Sequence, residues 1–471
     1  MKKLKKILGT FTVFIIVLLL SSTVRASEYA YSIGANFDSA CGMSGDFTQN
    51  VKYAASSYGR RADITSSFYS TEPTYSYMRG LNSNGYRRIG SRIVFINGHA
   101  NPNEIVAVAH NNSTYKTGIC TGSDTTAGGY TFAGLQSTNM SQVWLITFAG
   151  CTTAGNPGTT DSLIDVAYNR GASYTVGFEG EIYSRSNQGP EWLQVYNGAL
   201  GGGQSVSSAL TKACTAYPNC SMTYYMRNRG VAERTSQVLT NNASHINLQS
   251  TNDNSPKTLT EKIALEPIDN NYQVISTKHI EIDKNMTRID KQPLTNYAKQ
   301  FSAIINEIKI FDTTFDTDNY KVTYRIYNPD SNLGYILFTY YIDSDIETNK
   351  VYMAQIENEK ITSITLAGVL KENIEKTTAN EESLKDKKIN FISSKQEKIA
   401  SEQKNNANLA KLSIKLDSTQ QMKTSTMAKN VENSNEKYYY DYNTEELKYI
   451  LEVVMKDIYG TYDGETLEIT L

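Results

Sequence analysis

Two stretches of the chain share one pattern, an apolar run long enough for a single strand that ends abruptly at a reactive side chain. The first reads Ile93-Val94-Phe95-Ile96-Asn97-Gly98-His99-Ala100-Asn101. The second reads Val143-Trp144-Leu145-Ile146-Thr147-Phe148-Ala149-Gly150-Cys151-Thr152-Thr153-Ala154-Gly155. Runs that are apolar at every position, rather than at alternate ones, belong to strands covered on both faces, as in the middle of a parallel sheet. In such sheets ligands gather beyond the carboxyl ends of the strands. If the two runs are neighbours, the imidazole of His99 and the thiol of Cys151 converge there.

The residues around these runs alternate in the same way. Residues 30–36, 62–65, 92–97, 143–149 and 174–178 have strand character, and residues 47–58, 74–81, 159–169, 191–200 and 206–216 have helix character. Ser205 is a natural cap for the last of these. Alternation of strand and helix predicts an α/β fold, a largely parallel sheet flanked by helices.

Composition then breaks near residue 235. Beyond Gly203 the only glycines are Gly230, Gly334, Gly368, Gly460 and Gly464. Lysine, confined to Lys52, Lys116 and Lys212 between residues 27 and 256, becomes abundant, while arginine shrinks to Arg288 and Arg325. The expected organisation is a signal peptide over 1–26, a first module over 27–234, a polar linker over 235–259 and a strand-rich α+β accessory module over 260–471. Within the last, residues 322–326, 337–342, 351–356 and 361–366 read as consecutive antiparallel strands, 296–308 as a helix, and 377–435 as a charged polar segment. No catalytic constellation stands out in that half, and His245 and His279 read as surface histidines.

Lys2, Lys3, Lys5 and Lys6 open the chain, residues 7–20 are apolar, and Val24 and Ala26 stand at the −3 and −1 positions of a cleavage site. The run is shorter than the ~20 residues a span needs, so cleavage after Ala26 and a secreted, extracellular protein without a stable membrane span are expected. Export permits disulfides. Cys214 and Cys220 are close enough in sequence to pair, Cys41 and Cys120 form a second conceivable pair, and the odd number of five cysteines leaves at least one thiol. The formal net charge of −2 gives no basic field for nucleic acid.

The chemistry needs His99 and Cys151 together. A thiol becomes a good nucleophile as a thiolate; an imidazole takes its proton, and the imidazolium then protonates a leaving amine. Backbone N–H groups around the Cys151 turn, ahead of the helix expected near Thr159, are candidates to hold an oxyanion. His110 is the rival base, Trp144 and Trp192 read as packing residues, and no Cys/His cluster has zinc spacing.

These residues resemble the caspase-like cysteine peptidases, which include caspases, metacaspases, gingipains, clostripain and the CHAT domains. His99 lies 151 − 99 = 52 residues before Cys151, and caspases place their histidine roughly 50 residues upstream. Gly150-Cys151-Thr152-Thr153-Ala154 is similar to the Ala-Cys-x-Thr-Ala of CHAT domains. Ile33-Gly34-Ala35-Asn36, Met43-Ser44-Gly45-Asp46 and the helix from Phe47 are similar to the opening of metacaspases. The resemblance covers residues 29–223, and two positions depart from it: Ala100 follows the histidine where the family has glycine, and Gly150 precedes the cysteine where caspase-like enzymes often carry an acid.

The resemblance implies a caspase-like fold with Cys151 as nucleophile, His99 as acid–base partner, and Ala100 and Gly150 as backbone around the oxyanion. Secreted relatives often cut after Arg or Lys through an acidic subsite; the family layout then points to Glu179 first, with Glu181, Asp38 and Asp46 as further candidates. Arg60-Arg61 and Arg87-Arg88 are either self-cleavage sites or surface arginines. No cofactor is required, and calcium stays open as a ligand. The reading is a secreted cysteine endopeptidase acting on protein or peptide. The alternatives are a catalytically silent binding or adhesion protein of the same fold, and an enzyme whose second module is an intramolecular inhibitor or chaperone.

Overall fold

The structure is a computed structural model and describes residues 29–37, 45–80, 87–109, 116–127, 130–155, 161–180, 182, 189–220, 224–230, 246–248, 257–258, 272–282, 289–290, 297–328, 333–369, 381–403, 430–456 and 462–471. The expected signal peptide, Asp38, Cys41, His110, Glu181 and His245 lie outside the described residues. Through the first module the described elements run β1 (Tyr29–Ile33), α1 (Thr48–Tyr58), β2 (Ser66–Ser70), α2 (Tyr75–Arg79), β3 (Ile93–Asn97), β4 (His99–Asn101), β5 (Glu104–Ala109), β6 (Lys116–Cys120), β7 (Thr125–Ala127) and β8 (Tyr130–Gly134). They continue with α3 (Ser137–Met140), β9 (Leu145–Ala149), α4 (Leu163–Asn169), β10 (Tyr174–Phe178), α5 (Gly189–Gly201), α6 (Val206–Ala216) and β11 (Tyr224–Asn228).

An eight-stranded sheet has the order β11-β10-β9-β3-β1-β2, then β12 (Ile246–Leu248) and β13 (Lys257–Thr258). From β10 to β12 every pairing is parallel; β11 and β13 add antiparallel strands at the two edges. The two apolar runs are β3 and β9, side by side at the centre, as their composition demands. Ile93, Phe95, Leu145 and Ala149 face one core with α1, α5 and α6. Val94, Ile96, Ile146 and Phe148 face the other with α2, α3 and α4. Side chains alternate across a strand with period two, so a strand buried on both sides is apolar except where a polar side chain finds a partner, as Thr147 does in the Tyr196 hydroxyl at 2.9 Å. The α/β architecture expected from the sequence is therefore present, a parallel-containing sheet flanked by helices.

Several boundaries differ from expectation. The second strand is β2 rather than residues 62–65, where Arg61 turns inward: its Nη1 donates to the Leu200 carbonyl at 2.7 Å, its Nε to Asp63 at 2.8 Å, and its guanidinium lies 4.9 Å from the Trp144 ring. Arg61 is thus a buried core arginine and not a surface one. The stretch taken as a linker supplies β12 and β13 to the sheet edge. A ribbon, β4 to β8, leaves the parallel sheet directly after β3, and its short strands carry too little periodicity to be anticipated.

The second module begins with β14 (Tyr272–Ser276), β15 (Ile280–Glu281), β16 (Ile289–Asp290), α7 (Tyr297–Gln300) and α8 (Ser302–Phe311). The single helix expected over 296–308 is interrupted at Phe301, which is buried among Ile304, Ile305 and Phe338. The antiparallel meander follows as expected: β17 (Tyr320–Asn328), β18 (Leu333–Ile342), β19 (Ile346–Glu357) and β20 (Lys360–Ala367). The polar segment holds α9 (Glu381–Gln403), and the described chain closes with β21 (Asn430–Asp441), β22 (Glu446–Lys456) and β23 (Tyr462–Thr470). Together with the ribbon these strands form one 15-stranded sheet, because β23 pairs with β4. No described helix is long and apolar enough to cross a membrane.

The two modules also share a core. Tyr327, Leu333, Tyr335, Leu337, Val351 and Met353 of the second join the cluster that holds Trp144 and Trp192 of the first. The Tyr327 ring lies 4.7 Å from that of Tyr224 and stacks on Tyr335 at 4.9 Å, and the Tyr335 hydroxyl donates to Thr211 Oγ1 at 2.8 Å. Both tryptophans of the chain lie in the first module, so fluorescence reports that module alone. Tyr335→Ala removes a buried aromatic from the second, at a cost of roughly 3–5 kcal/mol. The tryptophan-reported urea midpoint is expected to fall accordingly; an unchanged midpoint contradicts a shared core.

Candidate functional site

The site is assembled by register. β3 and β9 pair in parallel with Asn97 opposite Ala149, and His99 and Cys151 each stand two residues beyond that pair. Neighbouring strands run about 4.8 Å apart, so equal offsets bring the two backbones out of the sheet side by side. Asn97 ties the ends together: its Nδ2 donates to the Ala149 carbonyl at 2.7 Å, and its Oδ1 accepts from Asn50 Nδ2 at 3.3 Å. The Gly98 N–H donates to the same Ala149 carbonyl at 3.1 Å.

Beyond the pair the two segments touch. A methyl group added at Gly150 would sit 2.6 Å from the Ala100 Cβ, 2.6 Å from the Gly98 carbonyl and 3.0 Å from Ile105 Cδ1. Only glycine permits this approach. The residue before the cysteine, where acids are common among the resembled peptidases, is therefore fixed here by packing against the His99 segment. Ala100 occupies the matching position on the other side, its methyl filling the space over Gly150.

His99 opens β4, with its ring edge-on to Phe37 at 4.9 Å and to Phe47 at 5.3 Å. Its exposure is 2%. Phe47 immediately precedes α1 and Phe37 follows β1, so the first strand–helix unit builds the wall that orients the imidazole. Cys151 is also 2% exposed. The Ile182 N–H donates to its Sγ at 3.2 Å, and the thiol donates to the Ile182 carbonyl at 3.6 Å. A donor N–H aimed at sulfur favours the thiolate, whereas the carbonyl favours the thiol; the same residue accommodates both forms.

The turn after Cys151 is strained and firmly held. Thr152 has φ +56°, a left-handed conformation that β-branched residues avoid. Its N–H donates to the Gly180 carbonyl at 2.9 Å, and the Ala154 N–H donates to the Phe178 carbonyl at 2.9 Å. Thr153 Oγ1 donates to the Phe148 carbonyl at 2.8 Å and accepts from the Phe178 N–H at 3.0 Å. Strain of this kind persists where surrounding bonds over-determine the backbone, and it clusters at functional sites. One expectation is corrected here. The N–H groups of Thr152, Ala154 and Gly155 are committed to carbonyls within the protein, so these three do not serve an oxyanion in this conformation. The following helix, α4, starts only at Leu163 with Ser162 as its cap.

Glu179 directly follows β10, on the same loop as Gly180 and Ile182 that covers the sulfur, and is 3% exposed. Asp46, next to Phe47, is exposed and accepts from the Thr48 N–H at 2.9 Å and hydroxyl at 2.6 Å, at the start of α1. Arg87 forms a two-pronged pair with Asp124 at 2.9 Å, and Arg88 donates to the Tyr77 carbonyl at 2.8 Å over the Tyr77 ring. These arginines are engaged in the fold rather than presented for cleavage. Trp144 and Trp192 are core residues, and His279 is exposed. Cys214 and Cys220 are both thiols and line one small cavity with Arg325, so the pairing their spacing allows is not formed. Among the described residues no three His, Cys, Asp or Glu side chains converge as metal ligands.

Sequence reasoning missed Asn97, Ile182 and the Phe37/Phe47 wall. Asn97 carried a legible signal, a lone polar residue ending an apolar strand. Ile182 carried none, because a backbone group contacting a thiol leaves no mark on residue type. No family model, curated protein or solved structure matches the chain.

Gly150→Ala forces a methyl against Ala100 and the Gly98 carbonyl, and is expected to cost about 1–3 kcal/mol of stability. Thermal unfolding of the variant beside the parent checks this; an unchanged midpoint contradicts the close approach of the two segments.

Proposed function

We propose that the chain is a secreted cysteine endopeptidase of the caspase-like kind, with Cys151 as nucleophile and His99 as acid–base partner. The observation that carries this reading is the matched offset of the two residues beyond the Asn97–Ala149 pair at the centre of a parallel sheet. In the proposed reaction the Cys151 thiol gives its proton to His99, and the sulfur attacks the peptide carbonyl carbon. Collapse of the adduct breaks the C–N bond, the imidazolium protonates the departing amine, and water hydrolyses the thioester. The Ala100 amide, against Gly150, is the proposed backbone contribution to the oxyanion when its ladder pairing is open, since Ala100 pairs with Ile105 and with Tyr462 in the resting structure. Glu179, beside the loop over the thiol, is the proposed acidic subsite for a substrate Arg or Lys.

The burial of both side chains favours a second reading, in which the fold persists as a catalytically silent binding or adhesion protein. A panel of fluorogenic peptides varied at the residue before the cleaved bond separates the two. Residues 27–471 are expected to hydrolyse members of the panel, Cys151→Ala to be inactive, and His99→Ala to lose between about a hundredfold and ten-thousandfold in kcat. Glu179→Gln is expected to remove a preference for Arg and Lys while leaving hydrolysis of other members. Activity unchanged in Cys151→Ala contradicts the peptidase reading. Absence of hydrolysis by the parent under reducing conditions with calcium favours the silent protein.

A further inference from the structure

We propose that the edge of β4 is the substrate-binding edge of the site, made to take an extended peptide as an added strand, and that the C-terminal strand β23 occupies it in cis and keeps the protein latent. The inference rests on the peptidase reading of Cys151 and His99 and names the substrate geometry and regulation of that site.

β4 is the three-residue strand that begins with His99. On one side it pairs with β5, with Ala100 opposite Ile105. On its other side it pairs with β23, with Tyr462 opposite Ala100, antiparallel. At Ala100 the strand that carries the proposed base is therefore paired on both sides, by its own hairpin and by chain more than three hundred residues later in sequence. Ala100 is the residue whose methyl lies over Gly150, next to Cys151. Tyr462 itself is half-buried and packs on the core cluster that includes Cys151, Phe178 and Ile182. Contact thus runs from Tyr462 to Ala100 to Gly150, one residue from the nucleophile.

A strand edge is a row of backbone donors and acceptors that accepts any extended chain of suitable side chains. The same edge is suited to a peptide substrate running antiparallel to β4, with a bulky side chain where Tyr462 now sits. The joint is also built to part. β23 pairs with β22 at nine positions, from Lys448↔Thr470 to Lys456↔Tyr462, but with β4 at the single pair Tyr462↔Ala100. Separation at that pair leaves the β22–β23 hairpin intact. The fraction of molecules with the edge open then sets the apparent affinity for substrate.

Tyr462→Pro in the mature full chain removes both the backbone N–H and the aromatic ring from the joint; Tyr462→Ala removes the ring alone and keeps the backbone, should the proline variant fail to fold. Alkylation of Cys151 by iodoacetamide, read by peptide mass mapping, measures access without requiring catalysis. Alkylation is expected to rise roughly tenfold or more in a variant whose tryptophan-reported unfolding midpoint matches the parent, and a synthetic peptide of residues 462–471 added in trans is expected to slow it again. Peptide hydrolysis is expected to rise in parallel. Alkylation at the parental rate in a folded variant overturns the proposal. Faster alkylation with no hydrolysis supports the strand's covering role and counts against the peptidase reading, so the two failures are distinct.

Discussion

The pairing of Asn97 with Ala149 in the parallel β3–β9 ladder is the constraint on which the rest of the site depends. A one-residue slip would send every side chain of one strand to the opposite face. Here both faces are buried, by α1, α5 and α6 on one side and α2, α3 and α4 on the other, and Asn97 pins the ladder's end through the Ala149 carbonyl. The register, once fixed, fixes where His99 and Cys151 leave the sheet. Gly98 and Gly150 then let the two exits meet: a methyl at Gly98 would fall 2.0 Å from the Val106 carbonyl, and one at Gly150 would strike Ala100.

The same junction joins two sheets. β3 ends in the parallel sheet and β4 begins the antiparallel one, with only Gly98 between them. His99 is therefore held by the first module through Phe37 and Phe47, while its neighbour Ala100 is paired with the last strand of the second. A module that looks separate by composition is continuous with the site by hydrogen bonding, and the tyrosines at 224, 327 and 335 add a shared core.

What was legible in the sequence follows from how local each signal is. The largely apolar runs at 93–97 and 145–149 announced buried central strands, with Thr147 and the terminal Asn97 as their only polar residues. Their abrupt ends marked His99 and Cys151. Ser205 before α6 was readable as a cap, and its hydroxyl accepts from the Ser208 N–H at 3.1 Å. The β4–β8 ribbon was not readable: strands of three to six residues present too short a period, and β4 takes one partner from the adjacent hairpin and the other from β23, more than three hundred residues later. The role of Arg61 was hidden for a related reason, since an arginine's inward turn depends on a carbonyl at Leu200 and a ring at Trp144 that only the fold supplies.

The central claim, that His99 makes Cys151 the reactive thiol of this chain, is tested most directly by a peptidyl acyloxymethyl ketone, which labels a cysteine only when a neighbouring base activates it and a peptide is bound. Intact-mass and peptide mapping of the mature chain should find one adduct, on Cys151, absent from His99→Ala, with Cys120, Cys214 and Cys220 unmodified. Equal labelling of the parent and His99→Ala, or labelling of the other thiols in place of Cys151, would contradict the account.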